Sequence, residues 1–402
     1  MSDFANRDLR IAMVAGEASG DLLGSHLFNA LRKRFPRLQG FGVGGPRMTA
    51  AGFDAWYPME SMAVRGYVEV LRSLPRLLRM RRDLRRRILA DPPDLFIGID
   101  SPDFNLDLEV ALRRSGVATV QYVIPQVWAW RGERIHKVRR AADKVLVLFP
   151  FEVQICEQAG IPVAYVGHPL ADELPEVPDR QAARDQLRIP RVAQLVALLP
   201  GSRQSEVRQH AELLIATATL IAVQAPNVQF LVPLVSRETR LIFEGALYRQ
   251  HAEHLPLTIL FGHAQDAMTA ADAVLVASGT ATLEAALLKC AMVITYTVPP
   301  ASAWLMKRKG GYIPYIGLPN ILAGEFVVPE LLQDDATPEN LAQAVVNVLN
   351  DKLVRSRLEA RFLQIHRELK QDTATRAVEA ILPLLSTRRG AAGETGSEGA
   401  GA

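Results

Sequence analysis

The chain predicts an α/β protein of two Rossmann-like domains, and three observations predict it. Short apolar runs alternate with helical stretches, which is how a parallel sheet covered on both faces reads. Each run stops on glycine, proline or aspartate instead of a hairpin turn. A proline-rich, charged stretch interrupts the pattern near its middle, and the plan then starts again. With 402 residues, 49% hydrophobic and 22% charged, there is apolar material for two cores. The parallel sheets are expected to face a central cleft.

The first run, Leu9-Arg-Ile-Ala-Met-Val-Ala15, leads into Gly16-Glu17-Ala18-Ser19-Gly20-Asp21 and an amphipathic helix over 22–35. Glycines let backbone approach a ligand, and a helix start offers N–H groups to an anion or hydroxyl. The loop is not GxGxxG, and alone it fits a plain backbone turn equally well. Further strands are expected at 41–44, 95–100, 119–124, 144–149 and 163–166. The most informative is Asp94-Leu-Phe-Ile-Gly-Ile-Asp100-Ser-Pro-Asp103-Phe-Asn105, a buried strand that Pro102 brings to a stop. Asp100 and Asp103 then lie past a strand's carboxyl end, where open α/β sheets bind ligands. Asp100, directly after the run, is the expected base, and Asp103 is expected to hold the turn by bonding nearby backbone N–H groups.

Residues 1–170 form the expected first domain and 171–190, with Pro175-Glu-Val-Pro178-Asp, a stiff linker. The second domain, 191–350, opens on a strand over 195–199, the tight loop Pro200-Gly201-Ser202-Arg203 and a helix over 206–223. Strands follow at 230–235, 257–261, 273–276 and 293–298, and a helix begins after Ser278-Gly279-Thr280 with Glu284 in its first turns. The N–H groups of Gly201 and Ser202, with Arg203, suit a diphosphate; Glu284 suits ribose hydroxyls. Residues 351–388 read as C-terminal helices able to pack back on the first domain, one of them running over 353–385. Residues 389–402 are a Gly/Ala/Glu tail expected to be disordered.

Arginine is concentrated in two segments, 65–87 and 131–140, which points to an anionic partner. Val68, Leu71, Leu74 and Leu78 fall at near-helical spacing within the first, with Pro75 expected to start a second helix. Such a helix either touches an anionic bilayer or an acylated acceptor, or merely presents a solvated face. No aromatic platform accompanies the arginines, so no nucleic acid is expected. Trp128 and Trp130, beside Arg131 on a rim loop, suit substrate contact as readily as packing. No apolar run approaches the roughly 20 residues of a membrane span, and the start lacks a signal-peptide pattern. Cys156 and Cys290 alone make no disulfide framework, which fits a reducing cytoplasm. The eight histidines are scattered, so metal-independent chemistry without a cofactor is expected. Two such domains suit glycosyl transfer, which needs a base for the acceptor hydroxyl and positive or dipolar groups for a departing phosphate.

Six motifs, taken together, resemble lipid-A-disaccharide synthase. They are Ala15-Gly-Glu-Ala-Ser-Gly-Asp21, Gly98-Ile-Asp-Ser-Pro-Asp-Phe-Asn105, Pro125-Gln-Val-Trp-Ala-Trp-Arg131, Leu199-Pro-Gly-Ser-Arg203, Ala277-Ser-Gly-Thr-Ala-Thr-Leu-Glu284 and Leu318-Pro-Asn320. The resemblance implies a GT-B-type inverting glycosyltransferase of Gram-negative bacteria, acting at the inner face of the cytoplasmic membrane. It implies the joining of UDP-2,3-diacylglucosamine to 2,3-diacylglucosamine 1-phosphate, giving a β-1,6-linked disaccharide 1-phosphate and UDP. By the family's pattern Asp100 is the base, with Glu17 the other catalytic candidate on the acceptor side. Arg203, Glu284 and Asn320 become nucleotide-side residues, joined by Gly201, Ser202, Ser278, Gly279 and Thr280. Ser19, Asp103, Trp128, Trp130, Arg131, Val68, Leu71, Leu74 and Leu78 become acceptor or lipid contacts. A UDP-sugar epimerase, another lipid-linked glycosyltransferase and a dinucleotide-dependent oxidoreductase are the rivals, and a homodimer is left open.

Overall fold

The structure, a computed structural model, describes residues 8–62, 67–128, 132–297 and 315–386, with backbone alone at 67–73 and 386. The chain divides into two compact units, residues 1–169 with 370–402, and residues 170–369.

The first unit is a seven-stranded sheet of order β3-β2-β1-β4-β5-β6-β7. Its strands are β1 Arg10–Ala15, β2 Gln39–Gly44, β3 Asp54–Pro58, β4 Leu95–Ile99, β5 Thr119–Tyr122, β6 Lys144–Val147 and β7 Val163–Tyr165. All neighbouring pairs are parallel, so their carboxyl ends share one edge. β4 is buried along its whole length because helices cover both faces, which is why it reads as a continuous apolar run. β3 is an edge strand, half-exposed and ending in proline, so it has too little apolar sequence to stand out.

Pro75 does not start a new helix. One helix, Tyr67–Ala90, runs through it, sustained beyond the proline by arginine and leucine, which lose little side-chain freedom in a helix. Met80, Leu84 and Ile88 recur every four residues and are buried against Phe96, Phe104 and Leu108. Residues 353–385 likewise form two helices, Lys352–Leu369 and Thr373–Ser386, parted where Asp372 takes a left-handed φ of 53°. The second of them packs on the helix Ala18–Arg34 and on β6, burying Ala377, Val378, Ile381 and Leu385 within the first unit.

The second unit holds β8 Gln194–Leu199, β9 Val228–Leu234, β10 Leu257–Phe261, β11 Ala273–Ala277, β12 Met292–Tyr296 and β13 Glu330–Leu332. Their order is β10-β9-β8-β11-β12-β13, again all parallel. Lys289 and His366 are buried together, Lys289 Nζ meeting His366 Nδ1 and the Leu287 and Pro175 carbonyls. His366 Nε2 lies 2.8 Å from Ala171 O, so this pair ties the helix Lys352–Leu369 to the chain at 171–175. Cys156 and Cys290 are free and buried, their thiols pushed up to about 12 by burial.

Residues 171–190 are folded onto the second unit, with helices Pro169–Glu173 and Arg180–Gln186. Arg184 is 4% exposed and donates to Ala270 O at 3.0 Å and Asp272 Oδ2 at 3.0 Å. Asp272 also accepts from Arg180 and from Leu195 N at the start of β8. Charged residues that read as a linker are therefore a buried ion-pair anchor. Asp272 keeps Arg180 and Leu195 N when Arg184 is removed, but the Ala270 carbonyl loses its donor, so Arg184→Ala is expected to cost about 2 kcal/mol in urea unfolding. A loss below 1 kcal/mol would show that this segment is not anchored.

Candidate active site

In both units the strand order reverses between two neighbours, β1 and β4 in the first and β8 and β11 in the second. Helices after such neighbours leave toward opposite faces, and the loops part to form a crevice at the strands' carboxyl ends. Four of the six motifs singled out by sequence follow these four strands.

After β1, Glu17 takes extended backbone as the N-cap of the helix Ala18–Arg34, and Glu17 and Ser19 are exposed. Gly16 has no room for a side chain, because a Cβ there would lie 2.4 Å from Ser101 Oγ in the loop after β4. Asp21 is buried and serves structure: Oδ1 accepts from Gly45 N at 2.8 Å and Met48 N at 3.0 Å, and Oδ2 from Arg47 N at 2.9 Å. It thereby fixes the loop after β2. After β4, Asp100 and Ser101 both take left-handed backbone, φ 50° and 45°, which costs a non-glycine residue about 1 kcal/mol or more each. The helix Pro102–Arg114 starts at once. Burial, and next the Glu17 carboxylate, push the Asp100 carboxyl above the usual aspartate range. Asp103 does not close the turn. Phe104 N and Asn105 N do so by donating to Ser101 O, both at 3.0 Å, while Asp103 accepts from Arg134 Nη2 at 2.7 Å.

After β8, Gly201 has φ 118°, and a Cβ there would lie 2.5 Å from Glu206 Cβ. Ser202 N, which with Gly201 N and Arg203 was expected to hold a diphosphate, donates instead to Glu206 Oε2 at 2.9 Å, as does Arg203 N at 3.1 Å. Arg203 Nη1 lies 3.4 Å from Glu206 Oε1. A carboxylate thus occupies the anion seat at the start of the helix Gln204–Gln224. After β11, Ser278 N donates to Thr295 O, Gly279 takes φ 149°, and Thr280 is the exposed first residue of the helix Thr280–Leu287. Glu284 is half-buried, its carboxyl raised by burial, and accepts from Gln265 Nε2 at 2.8 Å. Gln265 was not anticipated, although its place just past β10 on the same edge is visible in sequence.

Asn320 is fully buried. Its Nδ2 donates to Val328 O at 2.9 Å and Glu330 Oε1 at 2.7 Å, and its Oδ1 accepts from Val327 N at 2.8 Å and Val328 N at 2.9 Å. That uses every hydrogen-bonding position of a carboxamide, so in this arrangement Asn320 clamps its loop and has none left for a nucleotide.

Trp128 is 4% exposed, edge-on to Phe151, with Nε1 3.3 Å from Glu152 Oε1. The structure gives it a packing role, and burial raises Glu152 beneath it to about 7. Trp130 and Arg131 lie outside the described residues, as do the side chains of Val68 and Leu71. Leu74 is 47% exposed and Leu78 half-buried. The second basic segment contributes to an open cavity of about 730 Å³ lined by Val110, Arg113, Arg114, His136, Arg139 and Arg140. Arg113 and Arg114 end the helix that Asp100 precedes, about 16 Å from its start at 1.5 Å per residue, so this cavity is remote from the rim.

Several solved structures share this fold. The calicheamicin glycosyltransferase CalG4 superposes with TM-score 0.58 at 17% identity, over 94% of this chain and 99% of that one. UDP-GlcNAc 2-epimerase from Neisseria meningitidis, bound to UDP-GlcNAc, gives 0.62 at 10% identity, over 93% and 99%. These likenesses, with the two parallel switch-point sheets, define a protein of the GT-B fold. Residues 11–381 match the family model described as lipid-A-disaccharide synthetase. A lipid-A-disaccharide synthase of Aromatoleum aromaticum is 57% identical over 377 residues, 94% of this chain and 96% of the relative. One from Dechloromonas aromatica is 53% identical over 379 residues, 94% and 99% of the two chains. The chain belongs to the lipid-A-disaccharide synthase family.

Because Glu17 helps raise the Asp100 carboxyl, Glu17→Gln is expected to lower it. A base works only when deprotonated, so activity that depends on Asp100 is lost as pH falls through its pKa, and that acidic limb should move to lower pH. A carboxyl-carbon titration of Asp100 by NMR gives the same comparison without turnover. An unmoved titration would show that Glu17 exerts no field on Asp100.

Proposed function

We propose that the protein is a UDP-sugar-dependent glycosyltransferase that joins UDP-2,3-diacylglucosamine to 2,3-diacylglucosamine 1-phosphate. The products are the β-1,6-linked disaccharide 1-phosphate and UDP. The observation that carries this is the division of chemistry between the two switch points: a shielded carboxylate of raised pKa in one unit, a glycine turn with N–H donors and an arginine in the other. The family match over residues 11–381 sets the epimerase and oxidoreductase alternatives aside.

Asp100 takes the proton of the acceptor's 6-hydroxyl as that oxygen bonds to the anomeric carbon of the donor sugar. The anomeric carbon's bond to the diphosphate breaks at the opposite face, inverting the centre, and its electron pair leaves with UDP. Raising a carboxyl above its ordinary range strengthens it as a base. Glu17 helps hold it there. Arg203 with the N–H groups of Ser202 and Gly201 stabilises the departing diphosphate, displacing Glu206 from those donors. Glu284, oriented by Gln265, accepts from the ribose hydroxyls, and Ser278, Gly279 and Thr280 approach the nucleotide through backbone. Ser19 lies on the acceptor side.

Both substrates carry acyl chains, and no described helix is long and apolar enough to cross a membrane. We therefore place the enzyme peripherally on the anionic inner face of the cytoplasmic membrane. Contact runs through the segment of Val68, Leu71, Leu74 and Leu78, with Trp130 and Arg131 as further lipid contacts. Exposed Leu74 among arginines supports this.

Supplying both acylated glucosamine substrates should release UDP and form the disaccharide in equal amounts. Asp100→Asn is expected to lower turnover at least a hundredfold while UDP affinity, measured by calorimetry, stays within about twofold. Full activity in that variant removes Asp100 as the base. Replacing Val68, Leu71, Leu74 and Leu78 with serine should reduce sedimentation with vesicles rich in phosphatidylglycerol; unchanged partitioning would leave that helix a solvated face.

A further inference from the structure

Beneath Asp100 lies a buried polar cluster that the reaction above does not use. Gly98 on β4 pairs with Gln121 on β5 and with Val14 on β1. A Cβ at Gly98 would lie 2.1 Å from Glu109 Oε1, 3.0 Å from Gln121 Oε1 and 3.0 Å from Asn105 Cβ, so three side chains converge on the space the glycine leaves open. Asn105, Glu109 and Gln121 are each 0% exposed. Asn105 and Glu109 stand four residues apart on the helix Pro102–Arg114, hence on one face of it.

The donors of the two amides point outward from this space, to strained backbone. Asn105 Nδ2 donates to Asp100 O at 2.8 Å and to Val14 O at 3.2 Å. Gln121 Nε2 donates to Val123 O at 2.8 Å and to Asp100 O at 3.3 Å. Asp100 has φ 50° and Val123 φ 74°, the latter unusual for a β-branched residue. Flipping either amide would set its oxygen against these carbonyls, so the network dictates which way each points. The inward atoms are then all acceptors: Asn105 Oδ1, Gln121 Oε1 and both oxygens of Glu109 have no protein partner among the described residues. A proton on Glu109 is the side-chain donor that this set requires, and burial pushes the Glu109 carboxyl well above the ordinary carboxylate range.

We infer that Asn105, Gln121 and a neutral Glu109 are positioning residues for Asp100, holding the left-handed turns after β4 and β5 that aim its carboxylate. Glu109 gives its proton to an amide oxygen, which orients the amides, and the amide N–H groups hold the Asp100 and Val123 carbonyls. None of the three touches substrate. The inference rests on Asp100 being the base.

The test compares Glu109→Leu and Glu109→Gln with the parent, using both acylated glucosamine substrates. In Glu109→Leu, kcat should fall at least tenfold with KM and UDP affinity within twofold. The acidic limb of kcat/KM should also move to lower pH as Asp100 leaves its shielded seat. Glu109→Gln, a neutral donor of the same shape, should keep kcat within threefold and leave that limb in place. The inference is overturned if Glu109→Leu keeps its kcat or loses it without moving the limb. It is equally overturned if Glu109→Gln moves the limb, since Glu109 would then itself be titrating. Should Glu109→Leu fail to fold, Asn105→Ser, which removes the shortest bond to Asp100 O, is read in the same way. Full activity in Asp100→Asn is a separate outcome, which removes the base assignment itself.

Discussion

A parallel sheet cannot turn back on itself; each strand must send the chain across a face to reach the next, and where the order reverses two neighbouring loops are left without a helix between them. In this protein that constraint acts once in each unit, between β1 and β4 and between β8 and β11. The rest of the site accommodates it. Gly16 must be glycine because the parted loops still approach closely enough for a Cβ to strike Ser101 Oγ. Asp100 and Ser101 bend left-handed where the chain passes from β4 into the helix Pro102–Arg114 through these two residues alone. Gly201 and Gly279 turn the chain in the second unit in a different way, at φ 118° and 149°, conformations that glycine takes without strain. One unit spends strain at its switch point and the other avoids it, which matches a side chain that must be aimed in one case and backbone donors that must be uncovered in the other.

The acids near these loops differ in what surrounds them more than in where they sit. Asp21 and Asp100 follow adjacent strands, yet Asp21 accepts three backbone N–H bonds and fixes the loop after β2, whereas burial and Glu17 raise Asp100. Structure and chemistry are thereby assigned to separate carboxylates. In the second unit Glu206 keeps the N–H groups of Ser202 and Arg203 bonded and pointing at one spot.

Strands with continuous apolar runs were legible, including the half-buried edge strands β7 and β10; β3 and β13 were not, because Asp54 and Pro58 interrupt the one and only two apolar residues follow Glu330 in the other. The positions of Asp100, Arg203 and Glu284 at strand ends and helix starts were legible, because an apolar run that stops and a helix that begins mark such positions in sequence. The clamp that Asn320 forms was not legible, because its motif says nothing of its partners at 327, 328 and 330. Trp128 lost its expected contact for a similar reason: a rim loop can fold inward, and only packing against Phe151 and Glu152 reveals that it does. Gln121, Glu109 and Gln265 escaped notice because a polar residue inside a strand or helix has no periodic signature; its importance lies in contacts from distant sequence.

The helix Tyr67–Ala90 shows how charge counts must be read against partners. Its arginines suggested one anionic surface, yet Arg81 pairs with Asp107 at 2.7 Å and Arg87 with Asp83 at 2.8 Å. Arg87 also lies over the rings of Trp56 and Tyr57. Met80, Leu84 and Ile88 on the same stretch belong to the core, so the helix beyond residue 79 is an ordinary cover for the sheet. Exposed apolar surface is what such a cover does not need, and Leu74 lies in the preceding turns. Among the described side chains of this helix, Leu74 is the exposed large apolar one. The arginines of its second half owe their presence largely to acids and rings of the first unit itself.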